Sequence, residues 1–214
     1  MRRFLLALVV ALVPLAVAAP AGAQVPNIIV LDAQSAARKG NYDEAIRLYT
    51  EALATGELKP FMQVAALNGR GLVYYRQQAY PPAMNDFTAA LNIEPNNPTV
   101  LRNRCFVFIE LREWGYAVDD CRASAAALEP NDPEGPDTIG YVYLRQGRNY
   151  EAIEFFNQSI GLDAGFGPAY LHRGIAYYNI GDRVRGRDDL LMAQSLMPNN
   201  VEVENQLRRM GLVP

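Results

Sequence analysis

Residues 40–53 read Gly40-Asn41-Tyr42-Asp43-Glu44-Ala45-Ile46-Arg47-Leu48-Tyr49-Thr50-Glu51-Ala52-Leu53, and this stretch returns four more times in looser form. An alanine or glycine marks one position of every copy, at spacings of 38, 34, 35 and 34 residues: Ala45, Ala83, Ala117, Ala152 and Gly186. A fixed period near 34 residues indicates small supersecondary units that bury their apolar faces only by stacking. The sequence therefore predicts a solenoid, a class of fold that offers extended binding surfaces.

Each unit is predicted to be a pair of antiparallel helices. In the last copy, Tyr170, Gly174 and Tyr177 recur at helical spacing, and Gly181-Asp182 interrupts the pattern. A second helix follows and ends at Pro198-Asn199-Asn200, because proline cannot continue a helix. Small residues at fixed positions allow two helix axes to approach to about 8 Å, which is the closest distance at which helices usually pack.

The pattern resembles that of the tetratricopeptide repeat (TPR) family over about residues 26–200. The matching positions of the second unit are Leu67, Gly71, Tyr74, Ala83, Phe87, Ala90 and Pro95, and those of the last are Tyr170, Gly174, Tyr177, Leu190, Ala193 and Pro198. The resemblance implies an all-α fold, a right-handed α-solenoid of antiparallel helix pairs known as the TPR superhelix. It divides a domain of residues 24–214 into repeats at about 26–59, 64–97, 98–132, 133–166 and 167–200, with a C-terminal capping helix at 201–210.

The N-terminus is typical of a secretory signal peptide. Met1-Arg2-Arg3 is followed by an apolar run from Phe4 to Ala19 and by Ala21-Gly22-Ala23, so we expect residues 1–23 to be removed. The alternative is an uncleaved membrane anchor, but Pro14 interrupts the run and a span needs about 20 continuous apolar residues. The sequence thus predicts export across the inner membrane to the periplasm, with no transmembrane span after cleavage.

Composition and motifs argue against nucleic acid binding and against catalysis. The net charge is −3, and loss of Arg2 and Arg3 would make it −5, whereas nucleic acid binding favours a basic stripe. His172 is the only histidine, so no Ser-His-Asp or Cys-His set and no metal-ligand spacing can be placed. We therefore expect no enzyme activity, no metal, no cofactor and no small-molecule substrate. The acid pairs Asp119-Asp120 and Asp188-Asp189 are expected on solvated faces of second helices.

The two cysteines of the third unit are the sharpest chemical feature. Cys105 and Cys121 are 16 residues apart and fall on the two helices of one unit. The TPR resemblance implies that they replace residues that face each other. Since an exported chain meets an oxidising compartment, we predict a Cys105–Cys121 disulfide. The alternative is two buried thiols that act as small apolar side chains.

In similar proteins the first helices line a concave groove, and helical phase then predicts which side chains face it. The predicted partner-binding residues are Leu72, Tyr75, Arg76, Arg102, Asn103, Phe106, Ile109, Tyr141, Leu144, Arg145, His172, Ile175 and Tyr178, and the same phase includes Asn68, Glu110, Asp137, Leu171 and Asn179. Asn68, Arg102 and Asn103 only partly match the family's clamp for a peptide carboxylate, because Leu72 and Phe106 stand where that clamp needs polar groups. The set is instead dominated by apolar and aromatic side chains, which mark either a contact site or packing between neighbouring first helices.

These observations favour an exported protein–protein interaction scaffold. Its groove would hold a partner protein or peptide segment, expected to belong to the cell envelope, against the apolar strip, with Arg76, Arg102, Asn103 and Arg145 orienting it. His172 is either a bystander or a hydrogen-bonding group that faces the groove. The alternative function is a structural or self-associating envelope protein whose groove is covered by its own chain. The sequence leaves the oligomeric state open.

Overall fold

The computed structural model describes residues 26–212, and within that range the chain forms helices and no strands. The helices are α1 (Pro26–Arg38), α2 (Tyr42–Ala54), α3 (Pro60–Arg76), α4 (Tyr80–Ile93), α5 (Pro98–Glu110), α6 (Trp114–Ala127), α7 (Glu134–Arg145), α8 (Asn149–Leu162), α9 (Gly167–Asn179), α10 (Arg183–Leu196) and α11 (Val201–Arg209). The predicted signal peptide, residues 1–23, lies outside the described residues. None of the described helices is long and apolar enough to cross a membrane.

The helices stack in chain order. Each odd-numbered helix up to α9 packs against the even-numbered helix that follows it, and each even-numbered helix packs against the next pair. The odd-numbered helices α1 to α9 also contact one another, whereas successive even-numbered helices in residues 26–212 make no contact of similar extent. The first helices therefore form one continuous face of an all-helical solenoid.

Glycines allow the two helices of a pair to approach closely. A Cβ atom added to Gly71 would lie 2.8 Å from a ring carbon of Phe87, and one added to Gly140 would lie 2.6 Å from a ring carbon of Phe156. Both phenylalanine rings are completely buried. The small residues of the repeat pattern thus occupy the places where a larger residue would overlap the partner helix.

The turn inside each helix pair uses a residue with positive φ. These residues are Gly40, Gln78, Arg112, Gly147 and Gly181, with φ of 80°, 60°, 59°, 79° and 88°. Their spacing repeats that of the alanine/glycine column, so the turn is the same in every pair. Gln78 and Arg112 adopt a left-handed conformation that favours glycine, which costs about 1 kcal/mol for other residues.

Arginine–aspartate pairs join the two helices in three of the five pairs. Arg70 binds Asp86, Arg104 binds Asp120 and Arg173 binds Asp189, with shortest N–O distances of 2.7, 2.6 and 2.8 Å. The expectation that both acid pairs are solvated is therefore wrong in part. Asp119 and Asp188 are exposed, but the next residue of each pair is buried. The reason is that an arginine 16 residues earlier reaches across from the first helix and forms two hydrogen bonds with that carboxylate.

The third pair also carries the cysteines. Cys105 and Cys121 are fully buried and joined as a disulfide in this structure, with their Cα atoms 5.6 Å apart. That separation lies well inside the limit of about 7 Å for bridging without backbone movement. The residues of the Arg104–Asp120 ion pair each directly precede a cysteine of the disulfide, so a covalent bond and an ion pair join α5 to α6 at neighbouring positions.

The last helix covers the end of the stack. α11 begins after Asn200, whose side chain accepts hydrogen bonds from the backbone N–H groups of Glu202 and Val203. Val203 and Leu207 are buried against apolar residues of α9 and α10. α11 thereby helps to remove Leu171, Leu190 and Ala193 of the last pair from water.

Candidate partner-binding groove

A cavity of about 350 Å³ opens on the face formed by the first helices, and we call it the central pocket. Its walls come from α3, α5, α7 and α9, and α11 adds one residue at the end. The lining residues are Leu72, Tyr75, Asn103, Phe106, Asp137, Thr138, Tyr141, His172 and Glu202. Four successive helix pairs therefore contribute to a single concave site.

Six of the predicted partner-binding residues line this pocket: Leu72, Tyr75, Asn103, Phe106, Tyr141 and His172. The other three lining residues are Asp137, which the sequence already placed in the phase of the groove, and Thr138 and Glu202, which it did not. Asp137 follows the helical phase of the groove, and Thr138 lies 35 residues after Asn103, so the repeat spacing carried a signal for both. Glu202 had no such signal, because the sequence presents α11 only as a cap. Its place depends on how α11 packs across the end of the stack.

Ile109 and Leu144 belong to the core instead of the groove, which corrects their prediction as contact residues. Their exposed fractions are 1% and 7%. Ile109 packs with the disulfide and Val142, and Leu144 packs with Phe156. A helix turns about 100° per residue, so a residue three positions after Phe106 or Tyr141 is rotated by about 60° from it. That rotation directs both side chains into the helix interface.

Ile175 and Tyr178 also lie outside the central pocket. Ile175 is partly buried between two apolar clusters. The Tyr178 ring fills the space over Gly186, where an added Cβ atom would lie 2.3 Å from a ring carbon, and the Arg183 guanidinium stands 4.9 Å from its centroid. The predicted apolar strip is thus divided, with one half in the pocket and the other half in helix packing.

The predicted orienting arginines are mostly engaged within the protein. Arg102 on α5 pairs with Glu134 on α7. Arg145 donates to Glu110 at 2.8 Å, and this hydrogen bond raises the pKa of Arg145 further above its ordinary value. Arg76 lines a separate shallow pocket beside α1 together with Leu72. None of the three lines the central pocket, although Arg145 donates to the hydroxyl of Tyr141 at 3.1 Å.

Aromatic rings form one wall of the central pocket. Phe106 and Tyr141 meet edge to face with centroids 5.8 Å apart, and Tyr141 lies 5.0 Å from the ring of His172. Burial and the nearby carboxylate of Glu110 raise the pKa of Tyr75 to about 12, so its hydroxyl keeps its proton. The wall therefore offers ring faces and a neutral phenol.

A polar pair, His172 and Asp137, lines the pocket next to this aromatic wall. His172 Nδ1 donates to Asp137 Oδ1 at 2.9 Å, since a carboxylate can only accept. Burial alone lowers the pKa of His172, but the attraction and the hydrogen bond of Asp137, with a smaller attraction from Glu202, raise it above its ordinary value. His172 is therefore a groove-facing group that also ties α9 to α7.

Comparable ties join the other first helices. Asn103 donates to Asn68 at 2.9 Å across α5 and α3, and the Arg145–Glu110 pair spans α7 and α5. Each of these three hydrogen bonds joins residues 35 positions apart, so a bond of this kind recurs between successive first helices from α3 to α9. Within residues 26–212 we find no cluster of three His, Cys, Asp or Glu side chains that could hold a metal ion.

Comparison with known proteins supports the same class of fold. Two tetratricopeptide repeat models match the chain, at residues 31–98 and at residues 138–166. A solved tetratricopeptide repeat protein from Parabacteroides merdae ATCC 43184 is 19% identical and superposes with a TM-score of 0.77 over 90% of this chain and 73% of that chain. YrrB, described as a TPR protein with an unusual peptide-binding site, is 20% identical with a TM-score of 0.54, over 84% of this chain and 90% of that one.

Similarity among curated sequences is more distant. RNA polymerase II-associated protein 3 of Homo sapiens is 22% identical over 145 residues, which are 68% of this chain and 16% of the human protein. The chain thus spans about one sixth of that relative's length. Taken with the structure, these matches show that the chain carries tetratricopeptide repeats, and that its fold is the helical solenoid of solved TPR proteins.

Proposed function

We propose that this protein is an exported, non-enzymatic scaffold that binds a segment of a partner protein in the central pocket. TPR proteins typically mediate protein–protein interactions, and their scaffold is generally non-catalytic. The observation that carries the proposal is the pocket itself, where side chains from four successive first helices converge on one open cavity. A solenoid needs no such cavity for stability, because its core lies between the two helix layers.

The composition of the pocket supports a peptide as its occupant. Leu72, Phe106 and Tyr141 offer apolar surface, while Asn103 and Thr138 offer hydrogen-bonding groups beside it. Apolar walls with a few placed polar groups are typical of binding sites, and cavities of about 300–1,000 Å³ are usual for them. A short segment with one or two anchoring side chains fits this volume better than a folded domain does.

Export and a periplasmic location rest on residues 1–23 and form part of the same proposal. We expect the purified native protein to begin at Gln24, as N-terminal sequencing would show. A chain that keeps Met1 and stays in the cytoplasmic fraction would contradict export. It would leave the assignment of the groove intact.

Site-specific crosslinking tests the groove. A photoactivatable side chain placed at Leu72, inside the pocket, should give a discrete crosslinked product in the native cell. The same group at Tyr116, whose ring is 63% exposed on α6, is the control. A product from Leu72 that disappears in the Phe106→Ala background supports the proposal. Products from Tyr116 alone, or a Leu72 product unaffected by Phe106→Ala, would move the binding site away from the groove.

The alternative, a self-associating structural protein, predicts a different product in the same experiment. The Leu72 crosslink would then join two copies of this chain, or the pocket to its own terminus. In the described residues α11 contributes only Glu202 to the pocket, and its buried apolar residues, Val203 and Leu207, pack against the end of the stack.

A further inference from the structure

We propose that the central pocket receives a cationic side chain, an arginine or lysine, from the bound segment. This inference rests on the proposed function and specifies which partner chemistry the groove selects. It is carried by the charge of the pocket, by the engagement of the nearby arginines and by the arrangement of the aromatic rings.

The pocket holds two carboxylates, Asp137 and Glu202, that form no ion pair with an arginine or lysine in the described part of the chain, although Arg102 lies near enough to Asp137 to be attracted by it. The side chain of Asp137 is 8% exposed, and its only side-chain hydrogen bond within residues 26–212 is to His172. Glu202 forms no ion pair in the described part of the chain and stands close enough to His172 to affect its charge. Protonated His172 balances the charge of Asp137, so the charge left for an incoming cation is mainly that of Glu202.

Two of the three arginines predicted to orient a partner are already paired with carboxylates, and the third, Arg76, lines the separate pocket beside α1. Arg102 is paired with Glu134, and Arg145 is paired with Glu110. Each of these arginines therefore brings its own carboxylate to the groove, and the pair contributes little net charge. A peptide carboxylate in the pocket would meet Asp137 and Glu202, and no arginine lines the pocket to bind it. Charge complementarity thus favours a basic occupant over an acidic one.

The aromatic wall suits the same occupant. Phe106 and Tyr141 form an edge-to-face pair, and Tyr75 lines the pocket beside them. A guanidinium or ammonium group within about 6 Å of such ring faces is attracted by their negative charge density. The methylene stem of a lysine or arginine can cover Leu72 while its charged end reaches the carboxylates. One side chain can therefore satisfy the apolar and the acidic parts of the pocket together.

Selection from a random dodecapeptide display library on the purified protein tests this inference. We expect the selected peptides to share an arginine or lysine flanked by apolar residues. For a synthetic peptide from that set, replacing the arginine by citrulline, or the lysine by glutamine, should weaken binding on the order of tenfold. Citrulline keeps nearly the shape of arginine but is neutral, with a carbonyl oxygen in place of one NH2 group.

Matched variants of α11 locate the effect. Glu202→Gln should weaken binding of the basic peptide about threefold, because Glu202 is exposed and an exposed ion pair contributes little. Glu204→Gln makes the same charge change two residues away, outside the pocket, and should leave binding unchanged. Glu202→Lys should weaken the basic peptide more strongly and should favour its glutamate-substituted form.

The outcomes separate the two proposals. Selected peptides that lose binding to Phe106→Ala but show no basic preference, or that bind equally after the citrulline exchange, would overturn the cation pocket and keep the groove function. Equal weakening by Glu202→Gln and Glu204→Gln would also overturn it, since the effect would then be one of net charge. If no peptide is selected, or if Phe106→Ala binds as tightly as the wild type, both proposals fail.

Discussion

Gly140→Ala is the most direct test of how the helix pairs pack. Gly140 lies on α7 where the fully buried Phe156 ring of α8 crosses it. An added Cβ atom would lie 2.6 Å from one ring carbon and 3.1 Å from the Cβ atom of Phe155. The ring is enclosed on all sides, so it cannot swing into solvent to make room.

The expected change in the free energy of unfolding of Gly140→Ala follows from two opposed effects. Alanine stabilises a helical position by about 0.5–1 kcal/mol relative to glycine, because it restricts the unfolded chain. Overpacking a buried site by one methyl group costs about 1–3 kcal/mol, since the rings or the helices must move. We therefore expect Gly140→Ala to lower the free energy of unfolding by up to about 2.5 kcal/mol.

Gly161→Ala is the matched control. Gly161 lies on α8, the helix that carries Phe156, and an added Cβ atom there has no neighbour within 4 Å. The same substitution should stabilise this site by up to about 1 kcal/mol. Equilibrium urea denaturation followed by circular dichroism measures both variants. The slope of the transition should stay the same if the compactness of the two end states is unchanged.

A second substitution tests the cause. Replacing Phe156 by leucine in the Gly140→Ala background should restore part of the lost stability, so the two changes should be less than additive. The packing argument would be refuted if Gly140→Ala were as stabilising as Gly161→Ala. It would be refuted equally if Phe156→Leu gave strictly additive losses.

Three further predictions concern the Cys105–Cys121 disulfide, the His172–Asp137 pair and the turn at Arg112. Replacing Cys105 and Cys121 by alanine should lower the free energy of unfolding by about 3 kcal/mol in urea, as the chain-entropy model gives for a loop of this size, and unreduced native protein should contain no reactive thiol. Because Asp137 raises the pKa of His172 in the folded state, the pair stabilises the protein fully below about pH 6.5 and less as the pH rises through the folded-state pKa. Urea midpoints measured between pH 5 and 9 should therefore show a smaller advantage of wild type over Asp137→Asn at high pH, and a constant difference would contradict the linkage. Arg112→Gly should raise the thermal midpoint, with a gain of about 0.5–1 kcal/mol from relieving the positive φ, and an unchanged or lower midpoint would show that the turn is not strained.

The repeat pattern was sufficient to predict the helical solenoid and six of the nine residues that line the central pocket. Leu72, Phe106 and Tyr141 occupy equivalent positions in successive units, and the structure brings them to one pocket. Helical phase could not separate them from Ile109 and Leu144, because residues three positions apart share nearly the same side of an isolated helix. Packing in the stack buries Ile109 and Leu144 and leaves Leu72, Phe106 and Tyr141 at the open pocket.

The sequence by itself determined the class of fold, since a period near 34 residues with small and aromatic columns has few other stable arrangements. Only the tertiary structure decided the chemistry of the groove. The stacking of the units pairs Arg102 and Arg145 with glutamates and joins His172 to Asp137. It also places Glu202 of the last helix in the same pocket as His172 and Asp137. The physical reason is that periodicity is a local property of each helix, whereas charge compensation depends on side chains about 35 residues apart that meet only when the units stack.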